Sequence, residues 1–496
     1  MSRFNQQSTS AFKPDTSNLA GGSAHSMSPI KEIVTILFTS FLTDKFYEKA
    51  DQTVARLSVL IAALRTEADK KLTAKAVIYA RTVFGMRSIT HAAAAELSKH
   101  ISGFKWAADF FTAVIYRPDD MTEIFSYLKA QQGNKKKFKV PVAMKKGFAV
   151  AFDTIKPYSL AKYRSDDKSV KLVDVINVCH PKPNEMNAGA LKQLLKGELK
   201  QEETWEAMLS AAGKDAGKKE AVWTNLLKEK KLGYLALLRN IRNIIEQAPA
   251  ALPLALEALT SEAFIKKSLI LPFQYMTAYE EMVKLGPSIS SQARIAMVAI
   301  SKAIDISLSN VPTFEGETLV VLDVSGSMTT ATGKNKQTPA KIGALFAAVL
   351  VKASNADFMT FDYDAKYHMM NTLDSTVTLA SGIQFPGGST NFPSIFMRAA
   401  KKYDRIIVLS DMQGWGHGQG IDSFVTAYRG KYKANPLIYS FDLNGYGSLQ
   451  FHEDRTFLLA GFSDKTMQIM QYLEKDKDAM LTEINRTILL AETIRP

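Results

Sequence analysis

The densest concentration of metal-capable oxygen in this sequence is a short turn, Asp323-Val324-Ser325-Gly326-Ser327, whose alternate positions offer a carboxylate and two hydroxyls. Two further segments carry the same chemistry. Gly387-Gly388-Ser389-Thr390-Asn391 is a glycine turn presenting hydroxyls before a helix, and Ser410-Asp411 closes an apolar run. Asp323, Ser325, Ser327, Thr390 and Asp411 thus give five oxygens from three loops. Such a set suits a hard octahedral cation, Mg²⁺ first and Mn²⁺ second, that keeps water or takes a partner's carboxylate. No thiol or imidazole belongs to it, which argues against zinc or copper. The alternative is that these are ordinary turn residues capping helices. Catalysis would need a base with a matching nucleophile, and the one nearby base is His417 in the glycine-rich loop 414–420. With no Walker loop and no Ser or Cys triad pattern, no enzymatic reaction is expected.

The elements that must position these oxygens are legible around them. Runs of Val, Ile, Leu, Phe and Tyr at 317–323, 357–362, 404–411 and 436–442 end in Asp or a polar turn and read as strands buried on both faces. Helical stretches at 338–353, 393–403 and 422–432 separate them, the first opening with Thr338 as N-cap and Pro339 at the first helical position. This alternation predicts a doubly wound α/β domain with its ligand site at the carboxyl ends of the strands. Upstream the texture is different. From about 30 to 310 apolar residues recur at three and four spacing, as in 46–64, 74–83, 92–101 and 104–115, so the segment reads as successive helices. That many helices predicts pairs stacked into a curved solenoid, although no repeat of fixed period is visible. Residues 1–28, rich in Ser, Gln, Asn and Gly, read as a flexible arm. The expected domains are therefore 1–28, 29–312 and 313–496.

At 496 residues with 46% hydrophobic and 22% charged side chains, the chain is long enough for two or three cores. No run approaches the 18 or so apolar residues of a membrane span, and the first thirty residues lack the apolar core of a secretory signal. The lone cysteine, Cys179, can form no internal disulfide, so a reducing, cytoplasmic setting is expected. Charge is unevenly divided: of the net +13, residues 1–310 carry +14 and the remainder −1. Such asymmetry points to a polyanion partner for the first part, nucleic acid being the commonest, with a lysine-rich solvated surface as the alternative.

Within the basic part three groups stand out. Lys135, Lys136, Lys137 and Lys139 precede Pro141, and the helix after it carries Met144, Phe148, Phe152 and Ile155 as its core stripe, with Lys145 and Lys146 off that stripe. In 234–246 the stripe is Tyr234, Leu238, Ile241 and Ile245, which leaves Arg239, Arg242 and Asn243 on one flank. Two guanidinium forks there could hold phosphates while the amide reaches a base or sugar; pairing of the arginines with carboxylates of a neighbouring helix is the alternative. Lys162-Tyr163-Arg164 and His180-Pro181-Lys182 combine cations for phosphates with rings that can stack on unpaired bases.

The Asp-x-Ser-x-Ser turn with a later glycine-flanked Thr and a strand-end Asp resembles the metal-ion-dependent adhesion site of von Willebrand factor A domains. The resemblance implies Asp323, Ser325, Ser327, Thr390 and Asp411 as ligands, with Ser389 as a possible substitute for Thr390. Over nearly its whole length the chain further resembles the Ro autoantigen family, on Asn18-Leu19-Ala20-Gly21-Gly22, Lys45-Phe46-Tyr47, His180-Pro181-Lys182-Pro183, Trp223 followed by Leu235-Ala236-Leu237-Leu238-Arg239-Asn240, and Lys266-Lys267 before Pro272-Phe273. That family implies a mainly α plus α/β protein: a monomeric TROVE ring of HEAT-like helical repeats closed by a doubly wound von Willebrand factor A domain. Lys162, Arg164, His180 and Lys182 match family stretches implicated in RNA contact. Asp166 stands where the family is commonly basic, which weakens that corner for Y RNA.

The reading that follows is an RNA-binding protein of the ribonucleoprotein kind. It would take a small noncoding Y-like RNA and single-stranded ends of misfolded or structured RNA, and the resemblance implies RNA quality control with an exoribonuclease such as polynucleotide phosphorylase. The rival is a metal-dependent protein-interaction adaptor pairing with a chaperone ATPase. An adaptor would elute free of nucleic acid.

Overall fold

The four apolar runs form the parallel centre of a six-stranded sheet in a computed structural model. It describes residues 15–18, 20–40, 49–133, 139–199, 205–268, 270, 272–308, 311, 313–330, 338–414, 421–444, 446, 448–451, 456–460, 470, 474 and 479–489. Numbering strands in chain order, β1 is Thr16–Ser17, β2 Ser23–Ser26, β3 Thr318–Asp323, β4 Asp357–Phe361, β5 Ala365–His368, β6 Arg405–Ser410, β7 Leu437–Asp442, β8 Ser448–Leu449 and β9 Thr456–Ala460. The large sheet runs β5-β4-β3-β6-β7-β9, parallel except for the edge strand β5. Leu319 lies beside Ile406, and Ser410 beside Asp442.

Both faces of this sheet are covered, which is why its strands read as unbroken apolar runs. On one side Phe392, Ile395, Phe396 and Tyr428 pack against Leu319, Val321, Ile406 and Val408. On the other the helix Pro339–Ser354 comes close enough that a Cβ on Gly343 would sit 2.7 Å from Leu322 Cδ1. Its start follows the sequence: Pro339 occupies the first turn and Thr338 Oγ1 accepts from Lys341 N at 3.2 Å. The helix expected over 393–403 is shorter, Pro393–Arg398. Strands β5 and β9 and the helix Thr376–Gly382 add to the expected set.

The chain divides into two compact units: Met1–Gln52 with Val311–Ala479, and Thr53–Asn310 with Met480–Pro496. This corrects the expected boundaries at both ends. From residue 15 onward the supposed arm contains β1 and β2, and β2 pairs with β8, His25 opposite Leu449. Backbone hydrogen bonds therefore order a segment whose side chains carry little apolar area. The helix Ala479–Asn485 falls in the helical unit from residue 480, where Asn485 Oδ1 accepts from Lys75 Nζ at 3.0 Å.

In the helical unit amphipathic helices pack in sequence. Glu67–Thr82 starts with Thr66 Oγ1 accepting from Asp69 N at 3.0 Å, two acids lying in its first turn. Ala107–Ala113 and Val142–Ala151 approach so closely that only glycine fits at 147, since a Cβ there would lie 2.4 Å from Ala108 O. Met144, Phe148, Phe152 and Ile155 are all buried, as their spacing predicts, and Pro141 caps this helix instead of occupying its first position. Burying each such side chain is worth about 1.5–3 kcal/mol. Among the described residues no helix is long and apolar enough to cross a membrane.

Candidate metal centre and nucleic-acid surface

The oxygen-bearing loops meet at the carboxyl ends of β3 and β6, where the strand order reverses direction and an open α/β sheet leaves a crevice. Asp323 ends β3, and Ser410 ends β6 just before Asp411. The glycine turn is stitched alongside: Gly387 N donates to Val324 O at 3.2 Å and Gly326 N to Gly388 O at 3.1 Å, with Gly387 at φ +84°. Asp323, Ser325, Ser327, Thr390 and Asp411 are all buried. Ser389, the alternative ligand, is only half-buried.

Within the cluster Ser325 N donates to Asp323 Oδ1 at 2.9 Å, and the Ser325 and Ser327 hydroxyls lie 3.4 Å apart. Ser410, not among the five expected ligands, donates its hydroxyl to Asp323 Oδ2 at 2.6 Å and so aims that carboxylate. Asp411 Oδ1 accepts from Gln413 N at 3.3 Å, but buried Oδ2 has no hydrogen-bond partner among the described residues. Burial pushes both carboxyls above their ordinary values; the charge of Asp323 adds to the rise at Asp411, and Asp362 and Asp442 add further negative potential. Two buried like charges and an orphaned oxygen are costly alone, and a cation at this place would relieve both. Among the described residues no cluster of three or more His, Cys, Asp or Glu could hold a metal, so the hydroxyls must supply part of any coordination here. His417 lies outside the described residues.

The basic residues scatter over the helical unit. Lys135, Lys136 and Lys137 lie outside the described residues; Lys139 is exposed, and its backbone is clamped by Gln132, which donates to Lys139 O at 2.7 Å. Lys145 is half-buried and Lys146 exposed. On the helix Tyr234–Gln247 the apolar stripe is buried, and the exposed Arg239 side chain makes no ion pair or hydrogen bond among the described residues. Arg242 instead meets Glu246 at 3.0 Å and Glu281 at 3.5 Å, the alternative the sequence left open, and Asn243 donates to Asn240 Oδ1 at 2.8 Å.

The Lys162 corner is also partly engaged. Arg164 donates to Leu199 O and pairs with Asp166 at 3.1 Å, which leaves it little freedom for phosphate. The Tyr163 ring expected to stack on a base carries the Arg117 guanidinium 4.5 Å from its centroid, with Lys162 Nζ at 5.9 Å. His180, exposed in the left-handed region at φ +51°, ends the helix Leu172–Cys179, its N donating to Ile176 O at 2.8 Å; Lys182 is exposed beyond it. Nothing in the local sequence signals Arg117, because its partner lies 46 positions away.

Parts of the sequence and the fold have known counterparts. Residues 192–313 match the TROVE domain. The crystal structure of Deinococcus radiodurans RO (RSR) protein shares the fold, with a TM-score of 0.59, 18% identity, and coverage of 93% of this chain and all of that one. Two curated relatives, both telomerase protein component 1, are 33% identical over 97 residues in Mus musculus and 32% over 97 in Rattus norvegicus. Each match covers 19% of this chain and 4% of the relative. The chain therefore carries a TROVE-domain match over about a quarter of its length and shares the fold of the Ro protein structure, while it spans only a small part of the curated relatives it matches.

Proposed function

We propose that the chain is an RNA-binding protein with no reaction of its own, acting in the cytoplasm as a monomer. Its helical unit would hold a Y-like small noncoding RNA together with single-stranded ends of misfolded or structured RNA. In this reading it presents those ends to an exoribonuclease such as polynucleotide phosphorylase. The observation that carries the proposal is that the TROVE match at 192–313 falls almost wholly within residues 1–310, which together bear net charge +14. Of the basic residues singled out in the sequence, Arg239, whose side chain has no partner among the described residues, and Lys139, Lys146, His180 and Lys182 are exposed and would be available to RNA.

In the α/β unit Asp323, Ser325, Ser327, Thr390 and Asp411 would hold Mg²⁺ or Mn²⁺. A bound cation would supply a Lewis-acid position open to a partner's carboxylate. The chain's own part is to fix its oxygens: Ser410 aims Asp323, and Gln413 N orients Asp411 so that Oδ2 is left for the ion.

The test is the nucleic acid that accompanies the protein out of cells. An absorbance ratio that salt or ribonuclease lowers, with structured small RNAs and tailed fragments on sequencing, supports the reading. Protein that elutes free of RNA and binds none afterwards favours the adaptor instead.

A further inference from the structure

Beside the Lys162 corner lies an exposed aromatic side chain that no motif announces. Tyr116 is 57% exposed, and the buried Arg81 guanidinium lies 5.2 Å from its ring centroid. Arg81 is held there by Asp120, which accepts from its Nε at 3.1 Å and Nη2 at 3.0 Å and also from His91 Nε2 at 2.8 Å. The same carboxylate accepts from the backbone N of Tyr116 at 2.9 Å and of Arg117 at 2.8 Å. One buried acid therefore fixes both the backbone under the ring and the cation against it.

The neighbours continue the surface. Arg117, braced by Asp119, covers Tyr163; Lys162 lies 5.9 Å from the Tyr163 centroid and 5.9 Å from that of Tyr158, which is 41% exposed. A single exposed tyrosine is unremarkable. This one differs in being pre-organised, so an aromatic partner that stacks on it sacrifices little side-chain freedom.

We propose that Tyr116 is a stacking platform for an unpaired RNA base, deepening the RNA-binding reading on which it rests. An RNA base has the flat π-face such a platform takes, and the adjoining Lys162 can meet the phosphate that follows. Because Asp119 and Asp166 already engage Arg117 and Arg164, the contribution here is stacking more than charge. That gives a signature which loss of a phosphate contact cannot imitate.

The full chain is titrated with a hairpin bearing 2-aminopurine in an unpaired bulge and with its blunt counterpart, at several salt concentrations. Tyr116→Ala should weaken the bulged hairpin roughly five- to a hundredfold, leave the salt slope unchanged and abolish the fluorescence quench, whereas Tyr116→Phe keeps all three. Tyr116→Leu retains bulk over Arg81 without a ring and should behave as alanine does, which decides the matter if the alanine variant unfolds. Wild-type-like binding and quench by the folded leucine variant would overturn the platform alone. Failure of the wild type to bind either hairpin would overturn the RNA reading and the platform with it.

Discussion

The side-chain amide of Asn18 donates to the carbonyl of Gly414 at 2.5 Å, joining residues 396 positions apart. Asn18 Oδ1 simultaneously accepts from Ala20 N at 3.0 Å and Gly22 N at 2.9 Å, folding the Asn-Leu-Ala-Gly-Gly motif into a tight turn. A Cβ on Gly22 would sit 2.1 Å from Gly414 O. On its other side the 411–414 loop is held by Gln450, which donates to Met412 O at 3.0 Å. The loop that carries Asp411 is thus gripped from two directions.

Asn18→Ala should therefore loosen that loop without touching any oxygen of the cluster. Removing one buried hydrogen bond costs about 1–3 kcal/mol, and Gly22→Ala should cost more because the turn must move bodily. Thermal unfolding and amide exchange of 411–414 measure both; unchanged exchange in Asn18→Ala would show that the contact is ornamental.

Metal binding should be visible as stabilisation. Saturating Mn²⁺ at a hundred times its dissociation constant adds about 2.7 kcal/mol to a site that exists only when folded. Asp411→Asn should lose that response. Without metal it should be at least as stable as wild type, since it removes one of two like charges that burial disfavours. Elemental analysis giving equal metal content in the two proteins would refute the site.

The helical unit carries an acid-sensitive knot. Burial favours the neutral form of Asp120, but the hydrogen bond from His91 and the charge of Arg81 outweigh it and hold its carboxyl well below the ordinary value. A depressed carboxyl contributes stability that is complete above its unfolded value near 3.9 and is lost as pH falls toward the folded one. Asp120→Asn should destabilise by about 3–5 kcal/mol at neutral pH, as for other broken buried pairs. Its unfolding curve should also flatten between pH 4 and 2 relative to wild type, and parallel acid limbs would disprove the assignment.

Arg239 and Arg242 should not be equivalent toward RNA. Because Glu246 and Glu281 hold Arg242, Arg239→Ala should weaken binding of a tailed hairpin more than Arg242→Ala. Each lost phosphate contact should lower the salt slope by about 0.7 for a single strand. Glu246→Gln with Glu281→Gln, which together free Arg242, should tighten binding and steepen that slope; a loss of affinity would place Arg242 away from the RNA.

Legibility in the sequence tracked how locally each feature is determined. The four central strands showed themselves because burial on both faces demands unbroken apolar runs, and the oxygen cluster because its turn is contiguous. Strand β5 did not, since an exposed edge strand needs no such run. Strands β1 and β2 are Thr-Ser and Ser-Ala-His-Ser, held by backbone bonds to partners their side chains do not announce. The bond from Arg164 to Leu199 O was not legible, because that partner is 35 residues away. Ser410 is visible beside Asp411, but its bond to Asp323 is not, because that partner lies 87 residues away.

The pairing of β2 with β8 sets a schedule for the growing chain. His25 must wait for Leu449, and at synthesis rates of about 5–20 residues per second that is roughly 20–85 s. Residues 53–310, a unit rich in local helix contacts, are made in the interval and can fold first. A strand paired only with β1 and left with its other edge open this long next to a ribosome is ordinarily an invitation to wrong partners. Ser-Ala-His-Ser offers such partners almost no apolar surface, so the poverty of side chains that conceals the segment is also what protects it until its neighbour arrives.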